Sequence, residues 1–201
     1  MSDLSVSGWR RFMGKDALAE RAAAVALLGA GIGLVASFML SIESFMLAKN
    51  NHAQLSCDIN AAISCASVAR HWSATLLGFP NSLIGLVTLP VIVTITVALL
   101  ARVRFPRWFM IGAQLGAVAG LLFAGWMFYM SMNVIGVLCP WCLTLDVGMI
   151  LVGYGLTRYN VMTQVWGGPS WRRFIGKGFD TLLMAVCLVG LAIVVIPKLF
   201  A

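Results

Sequence analysis

Charge is what this sequence has least of. Only 10% of its 201 residues are Asp, Glu, Lys or Arg, against 61% hydrophobic, and the mean hydropathy is +0.94. A soluble domain of this length cannot hide so much apolar surface, so the composition excludes a water-soluble protein and points to an integral membrane one. Other absences narrow the reading further. No strand pattern precedes Gly29, Gly31 and Gly33, and their surroundings are wholly apolar, which excludes a dinucleotide fingerprint. No small-residue cleavage site follows the first apolar run, which is also too long for a secretory leader. His52 and His71 flank Cys57, Asp58 and Cys65, but no compact ligand spacing joins them, so a metal site is set aside.

Five apolar runs are long enough to span a bilayer: Ala22–Leu47, Phe79–Ala101, Trp108–Met132, Cys139–Thr157 and Phe179–Ile196. The expectation is an all-α membrane protein of five transmembrane helices forming one domain over 1–201. The basic residues orient it. With the N-terminus cytoplasmic, Arg10, Arg11, Lys15 and Arg21, then Arg102, Arg104 and Arg107, then Arg158, Arg172, Arg173 and Lys177 lie inside. Only Lys49, Arg70 and Lys198 lie outside. By the positive-inside rule, 1–21 and 158–178 are cytoplasmic, 48–78 is an outer loop, and the C-terminus is outside. The net charge of +7 is then a topology signal and implies no nucleic acid partner.

Two short stretches, Trp9-Arg10-Arg11-Phe12-Met13-Gly14-Lys15 and Trp171-Arg172-Arg173-Phe174-Ile175-Gly176-Lys177, are nearly the same and each precedes a helix leaving the cytoplasm. They read as anchors, aromatic rings at headgroup level and cations against anionic membrane lipids, rather than as a partner-binding motif or a duplicated fold. Gly29 with Gly33, and Gly112 with Gly116 and Gly120, have the spacing that lets membrane helices approach closely. Pro90 is expected to kink its helix, with Thr88 and Thr94 satisfying the freed backbone groups.

Four of the five cysteines, Cys57, Cys65, Cys139 and Cys142, fall at the outer face, where disulfides form and persist. Cys187 lies near the middle of the last helix and reads as packing. Cys139-Pro140-Trp141-Cys142 opens a helix. Its cysteines are roughly 60° apart around the axis and about 4.5 Å along it, within reach of a disulfide after small adjustment. The helix N-terminus favours negative charge on the leading sulfur, and Pro140 suits the first turn. Cys57 and Cys65 would lie about 12 Å apart along a continuous helix, so pairing them requires a turn between them. Two outer pairs, one on a loop and one at a helix end, suggest a relay in which a loop thiol attacks the Cys139–Cys142 disulfide. Two static disulfides are the plainer alternative, weakened because so tight a ring stabilises little.

Cys57-Asp58-Ile59-Asn60 with Ile63-Ser64-Cys65, then Gly78-Phe79-Pro80-Asn81-Ser82-Leu83-Ile84-Gly85, then Cys139-Pro140-Trp141-Cys142, resemble in order and spacing the vitamin K epoxide reductase family, especially its bacterial branch. The resemblance covers roughly 22–157. It implies a four-helix bundle core with a peripheral fifth helix, and thiol oxidation coupled to reduction of a quinone of menaquinone or ubiquinone type. Cys139 and Cys142 would be the active-site pair, Cys142 facing the quinone. Cys57 and Cys65 would be the shuttle pair, with the one that meets the partner left open. Asn81 would hydrogen-bond a quinone oxygen, its alternative being a helix-start residue. Family members often carry a thioredoxin-like domain after the fifth helix. Here the fifth helix ends at Ala201 with no such domain, so the resemblance implies a separate thioredoxin-like (DsbA-like) partner outside the cytoplasm.

The chain departs from the vertebrate branch one turn after the second active-site cysteine, where Asp146 stands in place of a tyrosine. A carboxylate inside a membrane helix is costly enough to imply a role, either holding a proton for the quinone or bonding a neighbouring helix. Glu43, near the outer end of the first helix, reads as an interfacial residue. The resulting expectation is a multi-pass thiol–quinone oxidoreductase of the cell membrane, active on its outer face and supporting disulfide formation. Quinone-epoxide reduction is the nearest alternative, and a non-catalytic membrane protein with structural disulfides is the alternative from another class.

Overall fold

Apolar runs of this length satisfy their backbone in a bilayer as helices, and helices are what the computed structural model contains. It describes residues 3–50, 53–60 and 62–199, with side chains from 17 to 198. Five long helices dominate: α1 (Asp3–Lys49), α3 (Ser82–Leu100), α4 (Arg107–Met130, continued by a π turn over Ser131–Ile135), α5 (Pro140–Met162) and α7 (Phe179–Leu199). Short α2 (Cys65–Ala69) and a 3-10 turn (Trp72–Thr75) lie between α1 and α3, and α6 (Pro169–Gly176) lies between α5 and α7. Among the described residues there is no strand, only isolated bridges between Asn60 and Ile63 and between Ile63 and Leu138.

The five expected spans are present with shifted ends. The first begins at Ala17 and the fourth runs to Met162. One buried cluster draws side chains from several of these helices. Ala26 and Ala30 of α1, Leu89 of α3, Ala117 and Ala124 of α4, and Met149, Val152 and Leu156 of α5 pack together. α7 stays outside this cluster and turns Leu182, Leu183, Val186, Val189, Ile193 and Ile196 outward, a face suited to lipid. Cys187 is exposed on that helix, so the expectation that it packs is corrected.

Small residues set the closest approach. A Cβ at Gly148 would stand 2.7 Å from the Gly29 carbonyl oxygen and 2.9 Å from the Gly33 nitrogen, so α1 and α5 meet backbone to backbone. Gly29 and Gly33 therefore act as their spacing implied. Gly112 and Gly116 do not, since each faces open space, and on α4 only Gly120 meets a neighbour, Met149. The threonines near Pro90 also depart from expectation. Thr88 donates to the Ile84 carbonyl and Thr94 to the Pro90 carbonyl, so neither serves the Leu86 carbonyl that Pro90 leaves without a donor.

Polar side chains join the helices elsewhere. Gln114 of α4 donates to Thr157 at 2.9 Å and accepts from Asn160 at 3.0 Å, both on α5. Arg158 of α5 pairs with Asp180 of α7 at 2.6 Å with both side chains largely buried, which ties the outer helix to the core.

Candidate functional site

The site begins where α5 begins. Cys139 is the residue before the helix, with extended backbone, and Pro140 occupies the first turn, where its missing N–H leaves no bond unmade. The Cys142 backbone N–H is donated to the Cys139 sulfur at 3.3 Å, so the thiol sits where a serine or aspartate cap would otherwise serve. Cys139 is 1% exposed and Cys142 half-buried, both as free thiols.

The loop is brought to this helix end by main-chain pairing. A turn closed by Ile59 N–H to Ile63 carbonyl (3.0 Å) and Ile63 N–H to Asn60 carbonyl (3.2 Å) reverses the chain. It brings the α-carbons of Cys57 and Cys65 to 5.7 Å, and the two form a disulfide across the turn that their pairing needed. Ser64 N–H then donates to the Leu138 carbonyl (3.0 Å) and Leu138 N–H to the Ala62 carbonyl (2.9 Å). That clamp fixes register, with Cys65 just beyond it on one side and Cys139 just beyond it on the other. Their sulfurs lie 3.4 Å apart. Leu47, Leu55, Val68, Ile135 and Trp141 pack around them.

Asp58 holds the loop in this shape. Its carboxylate accepts from the Leu55 N–H (3.0 Å), the Ser64 hydroxyl (2.7 Å) and the Ala66 N–H (3.1 Å). Burial alone would raise its pKa, but these hydrogen bonds outweigh it and hold the group below the ordinary aspartate value. Ser64 in turn caps α2 by accepting from the Ser67 N–H.

Asn81 directly precedes α3 but does not cap it through its side chain. Its Nδ2 donates to the Ser73 carbonyl at 2.6 Å and lies 3.9 Å from the Met127 sulfur, while its Oδ1 is buried without a partner. Asp146 is 8% exposed, one turn beyond Cys142, and among the described residues no hydrogen-bond partner meets its carboxyl, so a bond to a neighbouring helix finds no support. His71 turns its Nδ1 to Ser73, and His52 lies outside the described residues.

The residue that sequence reasoning missed is Glu43. It is 4% exposed, with Oε1 3.0 Å from the Cys57 sulfur and 3.3 Å from the Ser56 hydroxyl, and Oε2 unpartnered. The signal was available, because the cost of a carboxylate inside a membrane span applies to Glu43 as it does to Asp146. Ligating atoms of Glu43, Cys57 and Cys65 lie within 4.8 Å of one another, but the disulfide occupies both sulfurs.

A buried disulfide in sulfur contact with a second cysteine pair at the head of a membrane helix defines a membrane-embedded thiol–disulfide redox protein. The chain belongs to the vitamin K epoxide reductase family, whose model matches residues 24–154 and so takes in all four of these cysteines. No individual curated protein matches it. Family membership makes it an oxidoreductase of the membrane, in a family associated with quinone and vitamin K substrates.

Proposed function

We propose that the chain is a thiol–quinone oxidoreductase that reoxidises a separate thioredoxin-like protein outside the cytoplasm. The 3.4 Å approach of Cys65 to Cys139 is the observation that carries this reading. Cys65 exchanges with Cys139, which leaves Cys57 for the partner. The partner's two thiols reduce the loop disulfide, the first joining Cys57 and releasing Cys65, the second releasing Cys57, and the reduced Cys65 then attacks Cys139 and displaces Cys142. Both loop cysteines are buried, so the loop must lift for the partner to reach it.

The quinone would be held beside Cys142 by Asn81 and Asp146. The fit rests on the Asn81 amide. One N–H is spent on the Ser73 carbonyl, the second meets only the Met127 sulfur at 3.9 Å, a weak acceptor that a quinone carbonyl would displace, and the orphaned Oδ1 suits a quinol hydroxyl. When bound, a quinone supplies a sink for two electrons and two protons. Asp146, whose carboxyl meets no hydrogen-bond partner among the described residues, would pass a proton to the quinone from one turn beyond Cys142.

The cell membrane is the proposed location, oriented with the four cysteines outside. Lys198, near the end of α7, donates to the Gly136 carbonyl at 3.3 Å, which is consistent with a C-terminus on that same side. Quinone reduction by the purified protein with a dithiol donor tests the reading. Cys142→Ser is expected to abolish it and Cys187→Ser to leave it within about twofold, since a thiol on the outer face of α7 touches none of the relay. Full activity in Cys142→Ser contradicts the proposed role.

A further inference from the structure

The relay proposed above moves a disulfide from the active-site pair to the loop, and each turnover requires Cys57 to lose a proton. Cys57 is 6% exposed and the loop closes over it, so bulk water is a poor acceptor. One group is in place. Glu43 Oε1 stands 3.0 Å from the Cys57 sulfur, buried with it, while Oε2 has no partner. In the disulfide that sulfur carries no hydrogen, so the contact becomes a hydrogen bond only when a proton sits either on Cys57 as a thiol or on Glu43 as an acid. A position that binds one proton from either side is what a proton-transfer partner needs.

We propose that Glu43 is the proton acceptor and donor for Cys57. With the loop reduced, Cys65 attacks Cys139. The Cys65–Cys139 bond forms, the Cys139–Cys142 bond breaks, and Cys142 leaves as a thiolate that takes the Cys65 proton. Cys57 then attacks Cys65. The Cys57–Cys65 bond forms, the Cys65–Cys139 bond breaks, Cys139 leaves as a thiolate, and the Cys57 proton passes to Glu43. Two electrons have moved from the loop to the active-site pair. When the partner's second thiol, its proton lost to water, later displaces Cys57 from their mixed disulfide, Cys57 leaves as a thiolate and Glu43 returns the same proton.

The Ser56 hydroxyl and the Trp141 side chain also face the carboxyl and orient it. The titratable neighbours are Cys65, Asp58 in the loop and Cys142 at the start of α5. Asp58 is held ionised across the pH range of the test.

Glu43→Gln keeps the shape and a hydrogen bond but exchanges no proton. Dithiol-driven quinone reduction by the full chain is measured from pH 6 to 9, with acid-trapped disulfides mapped by mass spectrometry. The expected loss is about a hundredfold near pH 6.5. The Cys65–Cys139 bond should accumulate, and the deficit should shrink toward pH 9 as Cys57 ionises unaided. Glu43→Asp should recover part of the rate. Glu43→Gln in a Cys57→Ser background should still form the Cys65–Cys139 bond, which reports a folded loop. A rate within twofold of the parent at every pH, or a uniform loss without accumulation of that bond, overturns the role. Absence of the Cys65–Cys139 bond in Cys57→Ser alone would remove the relay and Glu43's part in it together.

Discussion

Single side chains decide what this site can do, and Asp58 is the one whose contribution is most open to measurement. It gathers three donors from both sides of the Cys57–Cys65 turn, so the loop's shape depends on its charge. Its folded-state pKa is depressed, so its stabilisation is complete above the unfolded value of about 3.9 and is lost as pH falls through the lower folded value. Hydrogen-exchange protection of the Leu55 and Ala66 amides should drop on acidification below about pH 4 in the parent and stay flat in Asp58→Asn. At neutral pH the variant should lose roughly tenfold in protection, the scale of one charge-assisted hydrogen bond discounted for solvent screening. Equal acid sensitivity in both proteins would contradict the assignment. Cysteine spacing and the need for a turn were legible in the sequence at this scale. Glu43 carried the same signal as Asp146 but was passed over, because its position near a helix end looked interfacial, whereas the loop folds back over it and buries it.

Between elements, the α1–α5 contact positions the chemistry, since α1 carries Glu43 and α5 carries Cys142. Gly148→Ala would drive a methyl into the Gly29 and Gly33 backbone, which cannot yield as a flexible side chain would. Thermal unfolding in detergent should show a loss of about 1–3 kcal/mol, with a matching fall in quinone reduction. Gly116→Ala, opening into free space, should stay within about 0.5 kcal/mol of the parent. Comparable losses in the two would contradict the close approach. Small-residue spacing marks a face that can be approached but not what stands opposite. That is why Gly29 and Gly33 were read correctly, Gly112 and Gly116 were not, and Gly148 went unremarked. Likewise the proline in α3 was plain to see, but where the threonines would send their hydroxyls depended on local rotamers that each closed on the carbonyl four residues back.

Across the whole molecule, the five spans were legible, because bilayer thickness and backbone hydrogen bonding leave little freedom in how such runs fold. The docking of the loop on α5 was not. It rests on two main-chain hydrogen bonds between Ala62–Ser64 and Leu138, and backbone pairing of that kind leaves almost no mark in side-chain pattern. Yet that pairing is what sets Cys65 against Cys139, the contact on which the proposed relay rests. The direct test is a Cys57→Ser, Cys142→Ser double variant, which lacks the thiols that would resolve the exchange from either side. Peptide mapping after mild oxidation in membranes should find Cys65 and Cys139 joined in most of the protein. Free thiols at both positions, or Cys65 bonded elsewhere, would contradict the relay.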